Sequence, residues 1–238
     1  WLGYFDKFVA FPLIVRYRLA SKRTRADCFF ILPDQGHGMY ASLFKRCAHS
    51  MHVHDMIAIR AALGEFRQVR VGRFGKWYQR MIRRGLRLVR SAICVSGATL
   101  RDFERLAPAA SGVDQKVAVV ANELNFPFRP SGSPAEFASY VLHVGNHLWY
   151  KNREGVIHLF ARWAREESHA DDRLVLVGDP LSDSERELVE SHALDAAVVT
   201  LSGIAPDRLQ NLYTHASLLL FPSHIEGFGW PIVEADRK

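Results

Sequence analysis

Short apolar runs alternate along the chain with longer mixed segments. The runs at 28–32 (CFFIL), 92–95 (AICV), 116–120 (KVAVV), 140–144 (YVLHV), 173–177 (RLVLV), 197–201 (AVVTL) and 218–221 (LLLF) predict strands, and 50–54 (SMHVH) predicts a weaker one. Between them, apolar side chains recur every three or four residues. That spacing predicts helices over 4–22 (across an awkward Pro12), 39–46, 76–90, 98–106 behind a Ser96 cap, 152–166, from Ser182 to Ser191, over 206–216, and onward from Pro231. In 152–166 the apolar face reads as Val156, Leu159, Phe160 and Trp163. Residues 33–38 read as a loop, and 56–63 are ambiguous between the two patterns. Strands alternating with helices imply parallel sheets of βαβ units, hence an α/β fold. Pro127, Pro130, Ser131, Gly132, Ser133 and Pro134 break the rhythm, so two Rossmann-like domains are expected, 1–130 and 131–238. In open sheets of this kind ligands sit beyond the carboxyl ends of the strands, which directs attention to the residues after each strand.

Charge follows the same division. The chain of 238 residues carries a net +6, but residues 1–130 hold 22 Lys and Arg against 9 Asp and Glu, whereas 131–238 hold 9 against 16. The basic half concentrates in one predicted helix, where Lys76, Arg80, Arg83, Arg84, Arg87 and Arg90 interleave with Trp77, Met81, Leu86 and Val89. Such a helix suits a solvated face, an anionic membrane surface at about 1 kcal/mol per basic residue, or nucleic acid. No helix-turn-helix, RNP, KH or zinc-finger pattern accompanies the charge, so nucleic acid ranks last. Cys28, Cys47 and Cys94 are odd in number and lack CxxC spacing; Cys28 and Cys94 lie in apolar runs, which predicts buried, reduced thiols and no zinc site. No apolar run approaches the roughly 20 residues of a membrane span. With Trp1 first, no leader pattern, and a C-terminus inside a predicted helix, an internal fragment of a longer chain is expected.

The densest chemistry lies at 221–235 (FPSHIEGFGWPIVEA). Gly227 and Gly229 let backbone N–H groups approach a ligand, and a helix opening near Pro231 presents free N–H groups suited to a phosphate. Carboxylates repel phosphate, so Glu226 and Glu234 suit hydroxyls instead, and one carboxylate matches a vicinal diol. Hydroxyls flanking a diphosphate describe a nucleotide sugar.

This Glu226-x7-Glu234 segment with its internal GFG resembles the signature of retaining GT-B glycosyltransferases of family 4, the glycosyl transferases group 1, of polysaccharide-assembly type. The resemblance extends in order over about 27–234. It implies two Rossmann-like parallel-sheet domains facing a cleft, both truncated here, the first on the acceptor side and the second binding the nucleotide sugar. It places Glu226 at the donor sugar and Glu234 at the ribose diol. Gly227, Phe228 and Gly229 would make backbone contacts around sugar and diphosphate. The segment at 143–152 (HVGNHLWYKN) resembles the family's first strand and loop of the second domain. Gly145 and Asn146 are then substrate contacts and Lys151 the cation on the diphosphate; where many members carry an Arg, this chain has Asn146 and Tyr150. Gly203 and Ile204 fall in a loop resembling the one that holds the nucleobase. His54 ends a strand resembling the family's "HD" strand, which places it beside the transferred sugar, and His37 is expected to face the cleft. The implied activity is transfer of a hexose, with retention, from a nucleotide diphosphate sugar to a saccharide or lipid-linked acceptor in bacterial-type surface polysaccharide or glycolipid synthesis. Its partners are that donor, that acceptor and an anionic membrane surface, with no nucleic acid. No cofactor and no metal are expected, and the location is cytoplasmic, peripheral at the inner membrane face. A non-catalytic sugar- or nucleic-acid-binding protein using the basic half is the alternative.

Overall fold

The computed structural model describes residues 2–21, 23, 27–123 and 135–236. The chain divides into two compact units, Trp1–Asn122 and Glu123–Lys238. The Pro- and Ser-rich stretch read as a linker lies outside the described residues, as does most of 121–130.

In the first unit, strands β1 (Phe29–Leu32), β2 (Ala48–Val53), β3 (Ser91–Cys94) and β4 (Lys116–Val119) form a four-stranded parallel sheet in that order. After a one-turn α-helix at Leu2–Phe5, the longer helices are α1 (Phe11–Arg18), α2 (Ile57–Ala62), α3 (Arg73–Leu86) and α4 (Gly97–Leu106). Met51, Val53, Ala92 and Cys94 alternate inward from the middle strands and meet Leu86 of α3 and Phe103 of α4 in the core. Ser96 caps α4 by accepting from Thr99 N–H, as its position predicts.

Several expectations are corrected here. The helical N-terminus is not uniform: a π-helical stretch, Asp6–Ala10, precedes α1, because Pro12 has no N–H to continue an α-helical ladder. Residues predicted as loop plus helix form one 3-10 helix, Gln35–Phe44, started by the Asp34 side chain accepting from Gly36 N–H. The CFFIL run is half exposed, since β1 is an edge strand whose Phe29 and Ile31 face outward. Cys28 is exposed, Cys47 and Cys94 are buried, and none of the three forms a disulfide among the described residues. Along α3 the inward face is Ile82, Gly85 and Leu86, whereas Trp77 is exposed. Gly85 matters because a Cβ there would fall 1.7 Å from the Gly38 carbonyl oxygen, so only glycine lets α3 and the 3-10 helix cross so closely.

The second unit holds β5 (Tyr140–Val144), β6 (Arg173–Val177), β7 (Val198–Leu201) and β8 (Leu218–Leu219), all parallel, in the order β7-β6-β5-β8. Its helices are α5 (Arg153–Trp163), α6 (Asp183–Ser191), α7 (Pro206–His215) and α8 (Trp230–Ala235). The two-residue period of the strands builds two cores. Val141, Leu174 and Leu176 meet Val156, Ile157 and Phe160 of α5 and Val189 of α6 on one face. Tyr140, Leu142 and Val175 meet Leu212 and Tyr213 of α7 on the other. Leu159, read as part of the buried stripe of α5, is exposed; Ile157 takes that place. Among the described residues no helix is long and apolar enough to cross a membrane.

Candidate functional site

In the second unit β6 and β7 extend the sheet on one side of β5, while β8 lies on the other. The chain segments leaving β5 and β8 therefore part at a topological switch point, the usual place for a ligand in an open parallel sheet. From β5 the chain runs through Gly145 and Asn146 into a 3-10 turn, Trp149–Lys151, and Asn152 turns it into α5 at φ 55°. From β8 it runs through 220–229 to α8. Two hydrogen bonds stitch these segments together: His224 N–H donates to the Tyr150 carbonyl at 2.8 Å, and Asn152 Nδ2 donates to the Pro222 carbonyl at 3.0 Å.

On this scaffold Lys151 Nζ donates to Glu226 Oε1 at 2.8 Å, with the two side chains 16% and 22% exposed. The rings of Tyr150 and Phe221 lie 5.6 and 5.5 Å from the same ammonium. Partial burial costs both ions hydration, and the carboxylate with two aromatic faces offsets that cost. An ammonium has three N–H donors, and Glu226 takes one.

Gly145 and Gly178 set the backbone beneath this pair. Gly145 N–H donates to the Val177 carbonyl and Gly178 N–H to the Leu201 carbonyl, each at 2.9 Å. Gly178 has φ +146°, and a Cβ there would sit 2.1 Å from the Gly145 oxygen; a Cβ on Gly145 would sit 2.8 Å from His143 Nε2. The close approach that requires Gly145 is thus made by the chain itself. Asn146 Oδ1 accepts from Leu148 N–H at 3.2 Å, shaping the same loop.

The loop is also anchored from α5 and α6. Buried Arg153 donates from Nη1 to the Asp179 carbonyl at 2.8 Å and pairs with Glu185 through Nε at 3.1 Å. Glu185 closes a capping box with Ser182, and His147 Nε2 lies 3.1 Å from its second oxygen. Burial lowers the Arg153 pKa, with Glu185 and Asp179 opposing it. The sequence reading passed over Arg153 and Glu185, although Ser182-x-x-Glu185 is a capping-box spacing.

Glu234, on α8, accepts through Oε2 from the Tyr213 hydroxyl at 2.6 Å. Burial first, and then that hydrogen bond, push the Tyr213 phenol well above its ordinary range. Tyr213 therefore fixes the carboxylate while leaving Oε1 for another donor; the sequence pattern places it only within the helix over 206–216. Gly229 adopts φ +86° as the N-cap of α8, and Phe228 packs its ring on Trp230 at 5.1 Å. Gly227 stands between Glu226 and Phe228 in that turn. Beyond β7, Gly203 turns the chain at φ +61° and Ile204 packs into the core with Leu201 and Val199.

His143, buried under Gly145, carries a testable consequence. Its Nδ1 lies 2.9 Å from the Leu220 carbonyl, and Nε2 has no hydrogen-bond partner among the described residues. Burial, aided by the nearby Arg153 and Lys151 charges, lowers its pKa to about 4. Between that value and the ordinary 6.5 the unfolded chain binds a proton that the folded unit does not. Stability should therefore fall as pH drops through this window, by about 3 kcal/mol in full. Chemical denaturation from pH 7 to pH 4 should show a shallower loss for His143→Phe than for the unaltered chain. Parallel profiles for the two proteins would refute this assignment.

In the first unit, His54 N–H donates to Gln35 Oε1 at 3.0 Å, and its Nε2 lies 3.0 Å from the Pro33 carbonyl. The Thr99 hydroxyl donates to the His54 carbonyl. The ring packs 4.3 Å from that of His52, whose pKa burial lowers, with His54 adding to the shift. His37 sits in the 3-10 helix, stacked 6.2 Å from Tyr40, with Nδ1 buried and unpartnered among the described residues. Beside them, beyond the carboxyl ends of β1 and β2, is a depression of about 180 Å³ lined by Asp34, Gln35, Asp55, Tyr78 and Gln79. No cluster of three or more His, Cys, Asp or Glu that could hold a metal occurs among the described residues.

Of the residues singled out in the second unit, Lys151, Glu226 and Gly145 come together on one crevice; Glu234 is held on α8 by Tyr213, and Gly203 with Ile204 marks the end of β7. Residues 128–236 match the family model of the glycosyl transferases group 1. Among solved structures, the chain is similar to sucrose-phosphate synthase from Thermosynechococcus elongatus (TM-score 0.66, 17% identity, covering 94% of this chain and 57% of that one). It is similar to WaaG, a glycosyltransferase involved in lipopolysaccharide biosynthesis (TM-score 0.62, 18% identity, 78% and 53% covered). It is also similar to the pneumococcal O-GlcNAc transferase GtfA, solved in complex with UDP and GlcNAc (TM-score 0.62, 13% identity, 93% and 42% covered). No curated protein sequence matches the chain. The fold is the GT-B α/β fold with parallel sheets, and the chain spans about half the length of the first two structures.

Proposed function

We propose that this chain is the donor-binding and acceptor-side part of a retaining glycosyltransferase, moving a hexose from a nucleotide diphosphate sugar to a saccharide or lipid-linked acceptor of surface polysaccharide or glycolipid synthesis. The observation that carries this reading is the Lys151–Glu226 pair at the β5/β8 switch point, inside the segment matched by the family model. A fold alone names no reaction; a cation and a carboxylate side by side in a sheet crevice suit a diphosphate and the hydroxyls next to it.

In this reading the two N–H donors of Lys151 not given to Glu226 meet the diphosphate. Glu226 accepts from a sugar hydroxyl through Oε2, and Glu234 accepts from a ribose hydroxyl through Oε1. In the transfer step the bond from the sugar's anomeric carbon to the diphosphate oxygen breaks as the acceptor oxygen bonds the same face. The acceptor's proton leaves on the departing diphosphate, whose developing charge Lys151 stabilises. Gly227, Gly229 and Gly203 admit the ligand to the backbone, and Asn146, Phe228 and Ile204 complete the donor side. The depression beside His54, with its carboxylates and amides, suits a hydroxylated acceptor, and His54 keeps the role beside the transferred sugar that the resemblance gives it. The reading needs no metal or cofactor.

A thermal-shift panel of UDP-, GDP- and ADP-hexoses tests it. One base should raise the melting temperature, and Glu234→Ala should remove most of that shift, with a ligand-free melt lowered only by the loss of an acceptor for the Tyr213 hydroxyl, about 1–3 kcal/mol. No shift with any donor overturns the proposal.

A further inference from the structure

Among the described residues the first unit carries an apolar surface that no other element covers. The helical N-terminus packs one side on the body: the Phe8 ring meets Trp77 at 5.7 Å and Tyr78 at 6.1 Å, the Lys7 carbonyl accepts from the Tyr40 hydroxyl, and Phe11 stacks on Tyr40 at 4.7 Å. Its outer side should then be polar, yet it presents Phe5, Leu13, Ile14 and Tyr17, exposed by 61%, 57%, 57% and 82%. Phe74 and Trp77, at the start of α3, add two more exposed rings beside Tyr4 and Phe8. A helix apolar on all sides is normally covered, and a contiguous exposed apolar patch marks an interaction surface.

The surrounding charge says what covers it. Arg16, on α1 between Ile14 and Tyr17, shares an open depression of about 440 Å³ with Lys45 and Arg46. Arg73, Lys76 and Arg80 lie on α3 with Phe74 and Trp77. None of these six cations makes an ion pair with an acid among the described residues. Arg83 and Arg87 of the basic stripe are by contrast engaged, donating to the carbonyls of Leu106 and Pro108. A second copy of the chain would bring the same positive charge to this face. Duplex nucleic acid would answer the charge but gives Leu13, Ile14 and Phe5 nowhere to bury. Aromatic and aliphatic side chains rimmed by Arg and Lys fit a bilayer surface that is apolar within and negative outside.

We propose that this face rests in an anionic phospholipid surface, with the N-terminal helix lying flat, Leu13, Ile14, Tyr17 and Trp77 below the headgroups, and Arg16, Lys45 and Arg46 around a lipid phosphate. The inference shifts the contact from the basic helix alone, as the sequence suggests, to the N-terminal helix beside it. It is independent of the transferase reading, since vesicle binding and donor binding are measured separately.

Co-sedimentation of the whole chain with neutral phosphatidylcholine vesicles and with vesicles also containing phosphatidylglycerol tests the proposal. The anionic vesicles should bind at least tenfold more tightly, and less so at high salt. Arg16→Gln with Lys45→Gln and Arg46→Gln should weaken binding by about a hundredfold, from about 1 kcal/mol per basic residue. Leu13→Ser with Ile14→Ser and Tyr17→Ser should abolish it; these side chains are exposed, so the melt of the free chain should be unchanged. Arg162→Gln with Arg165→Gln, in the second unit, should bind as the unaltered chain does. The proposal is overturned by equal binding to both vesicle types, by no binding, or by binding indifferent to both triple variants. It is equally overturned if the apolar variant converts a dimer of the free chain to monomer, or if duplex DNA binds more tightly than the anionic vesicles.

Discussion

Under the proposed function, Lys151→Ala is expected to lower the turnover of sugar transfer by about 10²- to 10³-fold, the usual consequence of removing one fixed donor from a developing negative charge. The ammonium is held by the Lys151–Glu226 bond of 2.8 Å and by the flanking Tyr150 and Phe221 rings, so it is in place before ligand arrives. That preorganisation makes its loss fall on turnover more than on folding. Glu226, 22% exposed, regains water when its partner is gone, so the stability cost should stay within about 1 kcal/mol. Steady-state release of nucleoside diphosphate, read beside a thermal melt, separates the two effects. Turnover within threefold of the unaltered chain would remove Lys151 from the reaction.

Gly178→Ala should have the largest effect on folding among substitutions near the site, about 4 kcal/mol lost from the second unit. Its φ of +146° is a conformation side chains rarely adopt, and a Cβ would lie 2.1 Å from the Gly145 carbonyl oxygen, a backbone atom that cannot swing aside. Gly203 offers the internal comparison. It too has a positive φ, +61°, but a Cβ there meets nothing within 4 Å. Gly203→Ala should therefore cost only about 1 kcal/mol of backbone strain. Urea denaturation of both variants checks the contrast. Similar losses for the two would mean that the Gly145–Gly178 contact contributes little to the unit.

The parallel-sheet architecture was legible because apolar runs and helical spacings alternate cleanly. Strands 140–144 and 173–177 stand where the pattern predicts them. Turn chemistry was legible too, in the Ser96 and Ser182 caps and in Pro206 opening α7. What escaped depends on facts a linear pattern does not hold. Edge position left Phe29 and Ile31 exposed in a run that reads as core. The missing N–H of Pro12 shows in the sequence, but the π-helical answer to it does not. The same holds for the site. Lys151, Gly145 and Glu226 stand out by motif, whereas Tyr213, Arg153, Glu185 and Gly178 are assigned by packing across α5, α6, α7 and three strand ends, at sequence separations that periodicity cannot join. The N-terminal helix presents the reverse case. Its apolar residues read only as part of a helix over 4–22, and their exposure sets them apart.

The account rests on Lys151 meeting a diphosphate in the β5/β8 crevice. Calorimetric titration of a nucleoside monophosphate and of the matching diphosphate, into the unaltered chain and into Lys151→Ala, tests this most directly. The diphosphate should bind the unaltered chain more tightly than the monophosphate by tenfold or more, a charge-assisted contact of roughly 1.5–3 kcal/mol, and Lys151→Ala should erase that difference while still binding the monophosphate. An undiminished preference for the diphosphate in Lys151→Ala, or no binding of either nucleotide to the unaltered chain, would contradict it.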